Sequence, residues 1–483
     1  MLEGLEISVL NLSELFNEKY STFRFDSEHY QKKYQYLLKK LDKHDNVVDL
    51  KDLISQSVIT GHTPSMKIER YYGGSIKFIK TDNLRENRIT QNFTHYLSNE
   101  GNNTRKNSQL RKDDIITTII GATQDIVGRT SIIQEEILPA NINQNIALIR
   151  PNNDKINSHF LNIYLNTWFG RNMLYFHSRQ TGQVNLSCRE VEYIKVPVFK
   201  KLEIVIEKIV KEIEVLKQQS KQTYNQAENI LLEEIGLQNF TPSKEPVNIK
   251  SFKNSFVTTG RLDAEYYQLK YEQVVNKVKN KTFDTLNNLV DINKSIEPGS
   301  KNYVENGLPF MRVADLSKNG LSEPQKYISE YFVKENQDKI NDLKPKKGTI
   351  LFSKDGSVGI AYHLRQNYNG ITSGAILHLN VKDEERILPE YLTLALNSKV
   401  VQMQAERDAG GSIILHWRVG EIENVVVPII DFDKQREIAD LIEQSFSLKK
   451  QSEHLLEVAK KAVEIAIEEN EENALDYIKT ETN

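Results

Sequence analysis

One cysteine, Cys188, is all that 483 residues contain. That excludes an internal disulfide and any zinc cluster built on several thiolates. No run of eighteen or more apolar residues exists, so no segment reads as a membrane-spanning helix. The start, Met1-Leu2-Glu3-Gly4-Leu5-Glu6, lacks the basic residues and apolar centre of a secretory signal. Together these absences point to the cytoplasm. Catalytic signatures are missing too. There is no phosphate-binding G-x-x-x-x-G-K-[ST] loop, no helix-opening G-x-G-x-x-G, no H-E-x-x-H and no G-x-S-x-G. Neither Asn-Pro-Pro-Tyr nor Asp-Pro-Pro-Tyr occurs, which argues against an amino-methyltransferase site. The ten histidines are scattered and read as surface or packing residues, and Cys188 as an ordinary half-buried one. The expectation is a chain with no catalytic residue, metal or cofactor of its own.

What is present is an ordinary globular composition, 39% hydrophobic and 27% charged, in a length that calls for several domains. The net charge of −3 is unevenly spread. Residues 51–195 carry 18 Lys/Arg against 13 Asp/Glu, a balance of +5. Residues 431–483 carry 7 against 14, a balance of −7, and residues 282–428 carry 17 against 19. Phosphate binding depends on local basic surface, so the neutral total does not exclude it.

The chain repeats itself. Arg24-Phe25-Asp26-Ser27-Glu28-His29-Tyr30-Gln31-Lys32-Lys33-Tyr34 returns as Arg261-Leu262-Asp263-Ala264-Glu265-Tyr266-Tyr267-Gln268-Leu269-Lys270-Tyr271, with 7 of 11 positions identical. The copies align further. Ile76 to Leu84 matches Leu308 to Leu316 as a buried strand running into a polar turn. Lys112 to Thr118 matches Lys347 to Ser353, each ahead of a glycine-bearing loop (Gly121 and Gly128; Gly356 and Gly359). Ser158 to Thr167 matches Pro389 to Ser398 with the spacing of a short amphipathic helix. Gly182 to Leu186 matches Gly411 to Leu415, and a Val-Pro pair closes each globular part at Val196-Pro197 and Val427-Pro428.

A long helix is predicted after each Val-Pro. Leu202, Ile206, Ile209, Ile213, Leu216, Ser220, Thr223, Ala227 and Ile230 step by 4 and 3 without a break, as a heptad seam does. Ile438, Leu441, Ser445, Leu448, Ser452, Leu455, Ala459, Ala462 and Ala466 do the same. Two matched seams favour the helices packing on each other over two independent surface helices. The organisation predicted is α/β (α+β): a globular part with its opening segment at 1–199, a helix at 200–236 and a linker at 237–258. The second copy follows at 259–430 and 431–470, with a frayed acidic tail at 471–483.

The carboxylates Asp26, Glu28, Asp263 and Glu265 could be read as an acid/base pair. The better reading is a structural opening segment anchored by Tyr30 and Tyr267, with Arg24 and Arg261 paired locally. Recognition is left, and the polar loops carry the residue types that read bases and hold phosphates. In the first copy these are Lys80, Asn83, Arg85, Arg88, Asn103, Arg105, Lys106, Gln124, Arg129, Arg179, Gln183 and Asn185. In the second they are Lys301, Arg312, Lys318, Asn319, Lys354, His416 and Arg418. The copies agree in the frame and diverge in these loops, as one scaffold reading two sequences would.

This pattern resembles the specificity subunits of type I restriction-modification enzymes over nearly the whole chain. The residues that carry the resemblance are Gly61-His62-Thr63-Pro64-Ser65, Tyr71-Tyr72-Gly73-Gly74, Ile76-Lys77-Phe78-Ile79 and Asn143-Gln144-Asn145-Ile146-Ala147-Leu148. Gly411-Ser412-Ile413, Arg261 to Tyr267 and the Val-Pro junctions add to them. The resemblance implies two target recognition domains, each reading half of a split double-stranded DNA site, related by an internal pseudo-twofold. It implies an antiparallel coiled coil that separates them and docks two methyltransferase (M) subunits. S-adenosylmethionine would belong to those partners, and ATP to a translocating restriction (R) subunit. Leu202 to Ile230 is 28 steps, about 42 Å of helix, which spans about twelve base pairs. One departure is that Ile296-Glu297-Pro298-Gly299-Ser300 stands where the first copy has Gly61 to Ser65. Other readings are a duplicated protein-binding scaffold, a specificity component of a related defence system, and a nuclease or methyltransferase with an unfamiliar site.

Overall fold

The computed structural model describes residues 27–123, 125–181, 183–245, 247–410 and 414–482. Arg24, Asp26, Gln124, Gly182 and Gly411-Ser412-Ile413 lie outside the described residues. The chain divides into two compact units, one of residues 1–216 with 451–483 and the other of 217–450.

The first unit is built on a four-stranded sheet in the order Ile59–Thr60, Ile146–Ile149, Ile115–Thr118, Thr130–Ile132. All four residues of Ile115–Thr118 are buried, as a β-branched run covered on both faces should be. A second sheet pairs Tyr72–Ile79 in parallel with Ala140–Ile142 and antiparallel with Tyr96–Leu97. Val47–Asp49 pairs antiparallel with Lys195–Pro197, so the Val-Pro junction closes the globular part onto its own beginning. The opening helix Lys32–Leu41 buries Tyr34, Leu37 and Leu41 on one face. His29, ahead of it, stacks on Phe176 at 4.0 Å.

The second unit repeats this frame. Its four-stranded sheet runs Val290–Lys294, Ile376–Val381, Ile350–Ser353, Ala361–His363. Leu308–Met311 pairs in parallel with Ile371–Thr372, and Phe283–Thr285 pairs antiparallel with Val426–Pro428. The registers agree: Ile115 lies opposite Ile132 and Ile149, and Ile350 opposite His363 and Leu379. In the second opening segment Arg261 is paired locally, with Asp263 at 2.7 Å, and its guanidinium lies 4.4 Å from the Tyr266 ring centre. The Tyr267 hydroxyl donates to the Arg261 carbonyl at 3.1 Å.

The unit boundary falls inside both long helices, Lys200–Glu234 and Phe432–Glu468. In the first unit Leu202, Ile206, Ile209 and Ile213 share one core with Leu455, Ala459, Ala462 and Ala466. In the second unit Ala227 and Leu231 share a core with Ile438 and Ile442. In the first unit the bulky residues of one helix thus share their core with small ones of the other, which lets the backbones approach closely. Leu216, Leu441 and Leu448 are half-buried at the edge of the seam. Ser220 and Ser445 exchange reciprocal bonds, each hydroxyl donating to the other's carbonyl at 2.8 Å. Such a pair is compatible with a single register, so it fixes alignment more than it adds stability.

The acidic tail differs from expectation. Glu471–Thr482 is a helix with Ala474 and Ile478 buried in the first core. Glu471 accepts a hydrogen bond from the Leu202 backbone N–H at 2.9 Å, at the start of the first long helix. The first N–H groups of a helix have no internal acceptor, and a carboxylate there is favoured by the helix dipole as well. Two apolar residues and one cap suffice to order a segment whose composition alone reads as frayed.

Candidate nucleic-acid interface

Each copy sets its polar loops on the same hydroxyl-latched turn. In the first unit Thr118 ends the central strand, its carbonyl accepts from Gly128 N–H at 2.8 Å, and its hydroxyl accepts from Arg129 N–H at 3.1 Å. In the second unit Ser353 does the same for Gly359 at 2.8 Å and Ile360 at 2.8 Å. Gly128 and Gly359 have φ of 77° and 82°, a region that favours glycine. The latch fixes where each loop leaves the sheet while its sequence is free to vary.

In the first unit this loop is joined by Arg179–Thr181 and Gln183–Asn185. Arg179 lies opposite Asn185, and Val184 opposite Gly121. Val184 points into the core, so Gln183 and Asn185 are turned outward to solvent. Arg179 forms an exposed pair with Glu190 at 3.1 Å. Arg129 is held by Asp125 at 2.8 Å, and the Thr123 hydroxyl and then Arg129 keep the Asp125 carboxyl below its usual range. Arg105 and Lys106 are exposed, and Asn103 accepts from the Gln109 amide at 3.2 Å. Burial pushes the Cys188 thiol up, with Glu192 adding to it and Arg105 opposing.

Beside it is the hairpin Leu84–Arg85/Arg88–Ile89, in which Arg85 and Arg88 lie directly opposite each other. Like charges in that relation destabilise a hairpin. Burial, then the guanidiniums of Arg129 and Arg88, push Arg85 below its ordinary value. Arg85 donates to the carbonyls of Asp82 and Leu84 at 2.9 and 3.0 Å, and Arg88 is exposed. Arg85 is thus repelled by two further guanidiniums at one corner of the unit.

Several residues expected in this interface have other work. Asn83 is buried. Its side-chain oxygen accepts from Lys80 N–H at 3.0 Å and its amide donates to the Asn92 carbonyl at 3.1 Å, so it builds the turn. Lys80 itself lies 2.9 Å from the His95 ring. In the second unit Arg312 N–H donates to Asp315 at 2.9 Å in the same arrangement, with the guanidinium 3.9 Å from that carboxylate. Lys318 reaches Glu228 on the long helix at 3.2 Å and lies over the Tyr224 ring, and the Asn319 carbonyl accepts from Lys449. That hairpin therefore braces the helices. Glu228 is ninety residues from Lys318, so no local pattern could show the pair.

Lys354 and His416, far apart in sequence, are brought together by Asp355, which was not foreseen. Lys354 pairs with one of its oxygens, and His416 Nδ1 lies 2.9 Å from the other. Trp417, also unforeseen, anchors the segment: it is 1% exposed, its ring centre is 5.7 Å from that of Phe352, and its backbone N–H donates to the Lys354 carbonyl at 2.8 Å. Arg418 and Lys301 are exposed.

Residues 264–458 match the family described as type I restriction modification DNA specificity domain. Over these residues the chain is similar to the specificity proteins of type I restriction-modification systems. The EcoBI specificity subunit of Escherichia coli is similar to it, 29% identical over 122 residues that make up 25% of this chain and 25% of that one. The chain thus spans about a quarter of the length of the curated relative it matches. Among solved structures, the S subunit of a type I system from M. genitalium overlays with a TM-score of 0.40 at 11% identity, covering 87% of this chain and 94% of that one. The HsdS subunit of Thermoanaerobacter tengcongensis overlays at 0.28 and 14% identity, covering 88% and 96%. No helix among the described residues is long and apolar enough to cross a membrane.

Proposed function

We propose that the chain is the DNA-specificity subunit of a type I restriction-modification complex in the cytoplasm. Each unit reads one half of a split double-stranded target, and the paired long helices dock two M subunits. Adenine methylation with S-adenosylmethionine and ATP-driven translocation belong to the M and R partners, and this chain does no chemistry. The observation that carries the reading is the opposed pair Arg85 and Arg88 beside Arg129. The opposed charges cost the hairpin some stability, whereas a phosphate backbone neutralises them. The second unit holds Ser317 opposite Gly320 at the equivalent positions, so the two copies present different surfaces on one frame.

Arg88→Ala is the test. It is expected to raise stability by about 0.2–1 kcal/mol, because a cross-strand repulsion is removed. DNA affinity of the complex with its M subunits is expected to fall, and the slope of log K against log salt to shrink by about 0.9 for the lost phosphate contact. Hydrogen exchange over residues 115–149 and a salt titration of duplex binding check both halves. Affinity and slope unchanged would leave the domain match of residues 264–458 standing and refute the DNA-contact role of this corner.

A further inference from the structure

We infer that the second unit contains a binding site for one divalent transition-metal ion, Zn²⁺ being the best fit, made by His363, Glu390 and Glu443. The inference is independent of the DNA-reading function. The three residues come from separate elements: the strand Ala361–His363, the first turn of the helix Pro389–Asn397, and the long helix Phe432–Glu468. One ligand atom from each lies within 4.8 Å of the others.

His363 makes this more than a pair of acids. Its side chain is 9% exposed, and Nδ1 is buried with no hydrogen-bond partner. The nearest group, Glu390 Oε1, stands 3.5 Å away, too far for a good hydrogen bond. Two ligands each about 2.0–2.1 Å from a tetrahedral Zn²⁺ stand about 3.3–3.4 Å apart, so that separation suits an ion between them. An unpaired buried nitrogen otherwise costs about 1–3 kcal/mol.

The surroundings supply the second layer a metal site needs. Arg365 Nη2 holds Glu443 Oε1 at 2.8 Å, which leaves the other carboxylate oxygen for the ion. Its Nη1 donates to the His363 carbonyl at 3.1 Å, and its guanidinium lies 3.4 Å from the Phe446 ring centre, so the orienting group is itself fixed. His363 and Glu390 line one small cavity with Arg365, Lys318, Ile442 and Phe446.

The first unit lacks the set. Ile132 occupies the register of His363, each lying opposite the first isoleucine of its central strand. His159 is the second residue of Ser158–Leu165, as Glu390 is of Pro389–Asn397. Glu203 accepts from Asn157 N–H and Gln435 from Leu388 N–H, which aligns the long helices and puts Lys211 where Glu443 stands. A lysine and an isoleucine there exclude a metal, so one ion per chain is expected.

The full-length chain, stripped with a chelator, is titrated with Zn²⁺ alone, and with Co²⁺ for its visible absorption. One equivalent is expected to bind, and Co²⁺ to show bands of a nitrogen–carboxylate site. His363→Ala and Glu443→Gln are each expected to weaken binding by about 100-fold or more, since losing an orienting group alone costs about 10–100-fold. His454→Ala, exposed on the long helix, is expected to change nothing. Glu443 is half-exposed, so Glu443→Gln keeps the test valid if His363→Ala fails to fold, with circular dichroism as the check. No uptake, or equal uptake by Glu443→Gln, would overturn the inference and mark His363 as part of a plain ion pair with Glu390.

Discussion

Truncating Trp417 to alanine is expected to cost the second unit about 3–5 kcal/mol, the range for emptying a fully buried indole site. The ring is 1% exposed and packs on Phe352 of the central strand, so no collapse of neighbours can fill the space cheaply. It is also the buried end of the segment that carries His416 and Arg418, tied to the Lys354 carbonyl by its own backbone N–H. Trp417→Phe should cost less than about 1.5 kcal/mol. It keeps an aromatic ring against Phe352 and removes an indole N–H that has no partner among the described residues. With two units, a single two-state unfolding energy is not defined for this chain. Hydrogen exchange read separately over residues 350–379 and 115–149 is the suitable measure. Protection lost in the first range and kept in the second is the expected result for Trp417→Ala. Equal losses in alanine and phenylalanine variants would show that the indole N–H, not the packing, is what matters.

Asp114→Thr is expected to cost the first unit about 3–5 kcal/mol by stranding a buried guanidinium. Asp114 is 2% exposed and holds Arg150 in a two-pronged pair at 2.7 and 2.7 Å, while its carboxylate also accepts from Arg111 N–H at 2.7 Å. Arg150 spends its remaining donors on Gln56 and the Gln109 carbonyl, and is only 11% exposed. The second unit carries a neutral pair at the same register: the Thr349 hydroxyl donates to Asn380 at 3.0 Å. Changing both partners to that pair, Asp114→Thr with Arg150→Asn, is therefore expected to be less damaging than Asp114→Thr alone. Strict additivity in a double-mutant cycle, measured by hydrogen exchange over residues 115–149, would contradict the coupling.

The frame of both units was legible in the sequence because it rests on patterns that repeat. Heptad steps put Leu202, Ile206, Ile209 and Ile213 against Leu455 and the alanines that follow it. The Val-Pro pairs closed both globular parts, and Thr118 and Ser353 fell at matching loop exits. Buried strands and seams are set by apolar spacing, which a sequence displays directly.

The candidate interface was less legible, because a polar residue shows its type and not its partner. Asn83 and Lys80 shape a turn, and Lys318 has its acid ninety residues away on a long helix. Arg129 is held by Asp125 four residues before it, and Arg179 by Glu190 eleven residues on. Asp355 joins Lys354 to His416 across 61 residues of sequence, a link that only the fold makes. The His363, Glu390 and Glu443 cluster is invisible in sequence for the same reason: its members are 27 and 53 residues apart and meet only through the fold.

The central claim is that each unit reads its own half of a split DNA site. Replacing residues 51–195 with the corresponding region of another specificity chain, and mapping methylated adenines with the M partners present, tests it most directly. The account predicts that one half of the bipartite target changes and the other, with its spacing, stays. A change in both halves, or in neither, would contradict it.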